Sequence, residues 1–195
     1  DQQTKDKNLI FINEIGLDPG IDHFFSHLLV KELKKQNLSD YTVSYLSFCG
    51  GLSAKPNNFK YKFSWSPFGV IKALANKAKF IENFTEKTVT PYQNVNSFNI
   101  NGENFEAYPN RDSLPYIKEY LFPNNWKIKN FIRGTLRLEG WSKAWKDIFY
   151  MLENSSANLD KDIEIKSDEL WSKYQYKQDE KDRVVLHVSL EALDY

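Results

Sequence analysis

The stretch Gly16-Leu17-Asp18-Pro19-Gly20-Ile21-Asp22-His23 places two carboxylates and an imidazole within eight residues, a set suited to holding or moving a proton. Asp18-Pro19-Gly20 has the composition of a tight turn, with Pro presetting φ at the second position and Gly free to take positive φ at the third. Asp18 then sits at the lip. Two readings of it stand side by side: a turn Asp bonding its own backbone, or a carboxylate offered to a ligand. Asp22 precedes Phe24, Phe25, Leu28, Leu29 and Leu33, a helical stripe whose N-cap it is placed to supply.

The cationic residues carry the second signal. Of 26 Lys and Arg, only Arg111, Arg133, Arg137 and Arg183 are Arg. In a chain that uses Lys by default, a guanidinium implies a need for its planar fork, which meets a carboxylate or phosphate with two parallel hydrogen bonds. Arg133, Thr135 and Arg137 fall on one face of the expected strand from Phe131 to Leu138. A solvated sheet face and a carboxylate-binding face are the two readings of that arrangement. Cys49 follows a strand-type run and precedes two glycines, which suit either a sharp bend or a ligand close to the backbone. The lone Cys reads as a small buried hydrophobe with no base beside it.

These residues need elements to hold them. Asn8–Glu14 reads as a short strand leading into the Asp18 turn, and Tyr41–Phe48 as a second strand ending at Cys49-Gly50-Gly51. Tyr61–Trp65 alternates again, and Ser66-Pro67 opens a helix running to about Glu82. Asn101-Gly102 between SFNI and ENFEAY is a hairpin signal, delivering a strand to the Pro109–Ser113 loop. A short helix over 114–121 follows. Trp141, Ala144, Trp145, Ile148, Phe149 and Leu152 form a packing stripe. Residues 154–167 are polar and read as a linker, 168–176 as a helix and 184–190 as a returning strand. The fold class expected is α+β, a mixed, largely antiparallel sheet with helices packed on one face.

At 195 residues, 41% hydrophobic and 15% aromatic, the chain fits one domain with a substantial core. Equal numbers of basic and acidic residues, 26 each, argue against nucleic acid or an anionic membrane as partner. No apolar run is long enough to cross a bilayer. The N-terminus is polar, without the look of a signal peptide. One Cys excludes an internal disulfide and fits a reducing, intracellular setting. Metal-ligand spacing, the P-loop, GxSxG and the GxGxxG dinucleotide fingerprint are all missing from the sequence.

The motifs EIGLDPGIDH from Glu14, SFCGGL from Ser47, YKFSWSP from Tyr61, YPNRDS from Tyr108 and IRGTLR from Ile132, followed by EKDRVVL from Glu180, occur in an order that resembles the L-glutamate-forming saccharopine dehydrogenases. Five motifs in sequence order make the likeness specific, and it covers nearly the whole chain. The resemblance implies the substrate-binding and dimerisation domain of that enzyme, similar in fold to the second domain of glyceraldehyde-3-phosphate dehydrogenase. Residues 1–14 would be strand and linker from a Rossmann domain lying outside this chain, 15–153 the substrate domain, 154–167 a linker replacing a longer helical insertion, and 168–195 the closing helix and strand.

By the same resemblance Asp18 would be the catalytic carboxylate, and Cys49, Tyr61, Arg111, Arg133 and Thr135 would line or hold the substrate. The cofactor would be NADP or NAD, bound mainly by the domain outside this chain, so that the chain alone would not turn over. Saccharopine, or glutamate with 2-aminoadipate 6-semialdehyde, would be the ligand, a homodimer the assembly, and the cytoplasm or the mitochondrial matrix the compartment. Lys60 stands where many relatives have Gly. Two other readings are a non-catalytic dimerisation or amino-acid-binding module, and a related reductase such as carboxynorspermidine synthase, against which SFCGGL and YKFSW speak.

Overall fold

A computed structural model describes residues 7, 10–36, 41–155 and 158–193. Its seven-stranded sheet is organised about the long β6 (Lys127–Leu138). β1 (Thr42–Ser53) lies parallel beside it, and β7 (Asp182–Leu193) pairs antiparallel with β1 along its whole length. On the opposite edge of β6, β2 (Ala78–Glu82) meets it at Phe131 and carries β3 (Thr85–Val89). Further along that edge, β5 (Glu103–Pro109) takes over from Gly134 to Leu138 and carries β4 (Asn96–Ile100). Among the seven strands described, β1–β6 is the one parallel pair, so the expected mixed, largely antiparallel sheet is what forms. The β4–β5 hairpin turns at Asn101 and Gly102, both at positive φ, as the Asn-Gly signal requires.

Strand alternation gives the sheet two chemically different faces. Tyr45, Ser47 and Cys49 of β1 and their register partners Phe131, Arg133 and Thr135 of β6 share one face. At one end of it, α1 (Ile21–Lys34) sets Val30 into a cluster with Tyr45, Trp126, Phe131 and Tyr120, which directly follows α3 (Pro115–Glu119). At the other end, α2 (Pro67–Ala75), α4 (Trp141–Ala144), α5 (Lys146–Asn154) and α6 (Leu159–Tyr174) enclose Phe63, Ile71, Trp141, Trp145, Ile163 and Leu170. Between these aromatic clusters lie the polar residues of β1 and β6. On the other face Phe48, Leu52, Phe105 and Leu136 form a third cluster.

Several elements differ from those the sequence predicts. β1 does not stop before Cys49-Gly50-Gly51 but runs through it, with Cys49 paired to Thr135 and to Leu186. Gly50 answers to its neighbour strand: a Cβ there would stand 2.4 Å from the Leu136 carbonyl oxygen. The helix from Pro67 ends at Ala75, because Asn76 turns to extended backbone. Ala78 and Phe80 are then buried as alternate residues of β2. Tyr61–Trp65 forms only a bridge from Phe63 to Gln175.

Two segment boundaries also change. Residues 10–14 are not a strand, and Ile10, Phe11 and Ile12 stand exposed; Asn8 and Leu9 of that expected strand lie outside the described residues. The expected linker 154–167 is instead largely the start of α6. Ile163 and Leu170, completely or almost completely buried, anchor this helix, and two apolar residues seven apart in a charged run are too thin a seam to stand out in sequence. Ser156 and Ala157 of that stretch lie outside the described residues.

Candidate active site

The Gly16–Gly20 loop is closed by backbone hydrogen bonds: Gly16 N–H donates to Pro19 O at 3.1 Å and Ile21 N–H to Gly16 O at 3.0 Å. The Asp18–Pro19 peptide is cis, and Gly20 has φ 146°. A Cβ on Gly20 would lie 2.2 Å from Gly16 O, so this position needs Gly. The N-cap of α1 is Gly20, one helical residue before Asp22. Asp22, placed from sequence as the cap, instead sits in the first turn with its side chain fully buried. Its Oδ1 accepts Gly20 N–H at 2.7 Å, and its Oδ2 accepts Arg133 Nη2 at 2.6 Å.

Arg133 is the hub of this corner. Besides Asp22 it approaches Asp18 Oδ1 at 3.5 Å, and its guanidinium lies 3.9 Å from the Tyr116 ring centre. His23 stacks on the same Tyr116 ring, its Nδ1 2.8 Å from the Tyr120 hydroxyl, while its Nε2 is buried without a hydrogen-bond partner. The Asp18 carboxylate, one third exposed, is pushed above the usual carboxylate range by burial and by the neighbouring Asp22 charge. These outweigh Arg133, His23 and Arg111, which pull it down. A carboxyl raised in this way holds its proton more readily and accepts one more readily.

Arg111 arrives from the loop after β5, at φ 58°. That loop is pinned by Lys79 N–H to Arg111 O at 2.9 Å, Ser113 N–H to Lys79 O at 2.8 Å and Asn110 N–H to Arg133 O at 3.0 Å. Asp18, Cys49, Tyr61, Arg111 and Thr135 line one cavity of about 230 Å³. Arg133 does not line it. It faces an adjoining cavity of about 830 Å³ with His23 and Tyr116, and the two cavities share Asp18, Asn110 and Arg111. Burial, with the Asp18 and Asp22 charges nearby, pushes the Cys49 thiol up to about 12. A thiol raised in this way keeps its proton, which makes Cys49 a weak nucleophile in the cavity wall.

Asn110, Tyr176 and Asp182, not marked as site residues in the sequence, also line the smaller cavity, as does Arg137, placed from sequence on a strand face with a carboxylate-binding reading. For Arg137 the signal was present, since it shares a strand face with Arg133 and Thr135. Tyr176 and Asp182 carried none, because α6 and β7 bring them there from far along the chain. Among the described residues no group of His, Cys, Asp and Glu is placed to hold a metal ion, and no helix is long and apolar enough to cross a membrane.

A family model described as the saccharopine dehydrogenase C-terminal domain matches residues 16–193. The chain is 40% identical over 158 residues to the saccharopine dehydrogenase (NADP(+), L-glutamate-forming) of Pyricularia oryzae, a match covering 75% of this chain and 33% of that protein. It is 36% identical over 154 residues to the mitochondrial alpha-aminoadipic semialdehyde synthase of Mus musculus, covering 74% of this chain and 16% of that protein. Among solved structures, apo saccharopine dehydrogenase (L-Glu forming) from Saccharomyces cerevisiae superposes with a TM-score of 0.68 at 26% identity, covering 89% of this chain and 54% of that one. The chain thus spans a third or less of the length of these curated relatives.

Proposed function

The chain belongs to the saccharopine dehydrogenase C-terminal domain family, and from that premise we propose that it is the substrate-binding part of a nicotinamide-dependent, L-glutamate-forming saccharopine dehydrogenase of lysine metabolism. The reaction is saccharopine, water and oxidised cofactor to L-glutamate, 2-aminoadipate 6-semialdehyde, reduced cofactor and a proton. One observation carries the reading: Asp18, Cys49, Tyr61, Arg111 and Thr135, from five separate segments, line a single cavity.

In that cavity the Arg111 fork meets a substrate carboxylate, while Thr135 and Tyr61 offer hydroxyls to the polar groups beside it. Asp18, with its raised affinity for a proton, serves the secondary amine and then the water that hydrolyses the imine, taking that water's proton on a carboxylate oxygen. Arg133 is held by Asp22 and orients Asp18 from behind. A nicotinamide held along His23 and Tyr116 of the larger cavity would supply the hydride acceptor for the carbon next to the amine. The larger cavity fits one edge of such a group, because His23 Nε2, which makes no hydrogen bond and stands 3.7 Å from Glu14 Oε2, would gain a partner in a carboxamide.

The test is steady-state oxidation of saccharopine by the full-length protein, followed through the absorbance of the reduced cofactor. Asp18→Asn is expected to lower kcat by about 10²–10⁴-fold, and Arg111→Ala to raise KM with a smaller effect on kcat. Saccharopine binding without turnover by the wild-type protein would favour the non-catalytic binding module instead.

A further inference from the structure

A chain of hydrogen bonds runs from the larger cavity into the core. Its three hydroxyls, on Ser26 of α1, Tyr45 of β1 and Tyr120 after α3, belong to residues that are fully or almost fully buried. Ser26 Oγ donates to the main-chain oxygen of Asp22 at 2.6 Å and also lies 2.6 Å from the Tyr45 hydroxyl. The Tyr45 hydroxyl is hydrogen-bonded in turn to that of Tyr120. Tyr120 then reaches Nδ1 of His23 at 2.8 Å.

Each hydroxyl has one proton to give, so the end of the chain sets the direction of every bond in it. A carbonyl oxygen can only accept, and Ser26 therefore spends its proton on Asp22 O. Tyr45 must then donate to Ser26, and Tyr120 to Tyr45. No proton is left on Tyr120 for His23, so the last bond is Nδ1–H donating to the Tyr120 oxygen. Burial raises both phenols above their ordinary value and keeps them protonated, as this count requires. The nearby carboxylates agree: Asp22 Oδ2, fully buried although it also holds Arg133, stands 3.6 Å from Nδ1, whereas Glu14, 3.7 Å from Nε2, is 61% exposed and screened by water. In neutral His23 the lone pair is thus on Nε2, the buried atom with no hydrogen-bond partner.

We propose that Ser26, Tyr45 and Tyr120 are positioning residues that fix His23 as its Nδ1–H tautomer, which makes Nε2 a hydrogen-bond acceptor for an N–H of the nicotinamide carboxamide in the larger cavity. The identity of that ligand rests on the functional reading above; the tautomer does not. An N–H completes the bonding of Nε2, whereas a carbonyl oxygen in the same place would set lone pair against lone pair. The ring is held as well as polarised, because it stacks on Tyr116 with ring centres 5.4 Å apart. Nε2 therefore keeps one direction and one sense.

The experiment uses the full-length protein with nitrogen-labelled histidine, as wild type, Tyr120→Phe and His23→Gln. Ring-nitrogen NMR at about pH 8.5, well above the ordinary imidazole value, reads which nitrogen bears the proton, and His23→Gln assigns the signal. Wild type is expected to show Nδ1–H with a bare Nε2, and Tyr120→Phe, which removes the acceptor of that proton, to move population towards Nε2–H. Equilibrium affinity is then measured for NADP+ or NAD+, whichever binds the more tightly, against its acetylpyridine analogue, which keeps the oxygen and lacks the N–H. Wild type is expected to prefer the carboxamide by about tenfold, and Tyr120→Phe by no more than about twofold. The proposal is overturned if wild-type His23 carries its proton on Nε2, or if the two dinucleotides bind equally well. Wild type alone decides both points, so a variant that fails to fold leaves the test intact. An Nε2 proton in a protein that oxidises saccharopine would sink the proposal and keep the functional reading. A protein that binds neither NADP+ nor NAD+ and does not oxidise saccharopine would sink that reading and, with it, the ligand assigned to Nε2.

Discussion

Asp22 Oδ2 lies 2.6 Å from Nη2 of Arg133, and the Asp22 side chain is fully buried, so the first turn of α1 is tied to the middle of β6 by an ion pair shielded from water. Removing one partner of such a pair strands the other charge. Asp22→Ala is expected to destabilise the protein by about 3–5 kcal/mol. The double variant Asp22→Ala/Arg133→Ala should lose clearly less than the sum of the two single losses. Denaturant unfolding of the four proteins checks this, and additive losses would contradict the coupling.

Asp18 binds its proton more tightly in the folded protein than its ordinary value of 3.8. In the pH window that starts at the ordinary carboxylate value and extends up to the raised one, the folded state carries more of this proton than the unfolded state. Stability contributed by the protonated carboxyl is thus present below the ordinary value and is lost as pH rises through the window. Asp18→Asn removes that term, so its stability should fall less than wild type's as pH rises from about 4 towards neutrality. Thermal unfolding across that range reads the difference, and parallel curves would refute it.

Cys49 is pushed up to about 12, chiefly by burial. At pH 8 its thiolate is on the order of one molecule in ten thousand, far below that of an ordinary thiol near 8.5. Iodoacetamide should therefore label the native protein at pH 8 about a thousandfold more slowly than the urea-unfolded chain. Mass spectrometry over a time course measures both rates, and comparable rates would show an accessible thiolate.

Gly50 and Gly51 are neighbours in β1 with opposite surroundings. A Cβ on Gly50 meets Leu136 O at 2.4 Å and Leu136 Cβ at 2.9 Å, whereas one on Gly51 meets nothing within 4 Å. Gly50→Ala is expected to cost about 1–3 kcal/mol through overpacking against backbone. Gly51→Ala should be neutral or stabilising by up to about 1 kcal/mol, because it reduces the freedom of the unfolded chain. Equal effects in unfolding experiments would mean that β1 and β6 can part at Gly50 without cost.

Much of the fold is local and therefore written in the sequence. The Asn101-Gly102 hairpin, the alternation of Phe131–Leu138 and the stripe of Val70, Ile71 and Leu74 each declare themselves over a few residues. The scarcity of Arg against 26 basic residues likewise marked where a fork was wanted, and the ordered motifs marked the family. What the sequence could not decide depends on partners distant along the chain. Ala78–Glu82 becomes a strand because Thr85–Val89 folds back on it, and β1 continues through Cys49 because Thr135 and Leu186 lie on either side. The tertiary structure alone divides the arginines by role: Arg133 is ion-paired with Asp22, while Arg137, four residues later on the same strand face, is buried among the rings of Tyr61, Tyr108 and Trp141 and, among the described residues, makes no ion pair. Residue types set which chemistry is available, and only the packing of distant elements determines which charges are already neutralised.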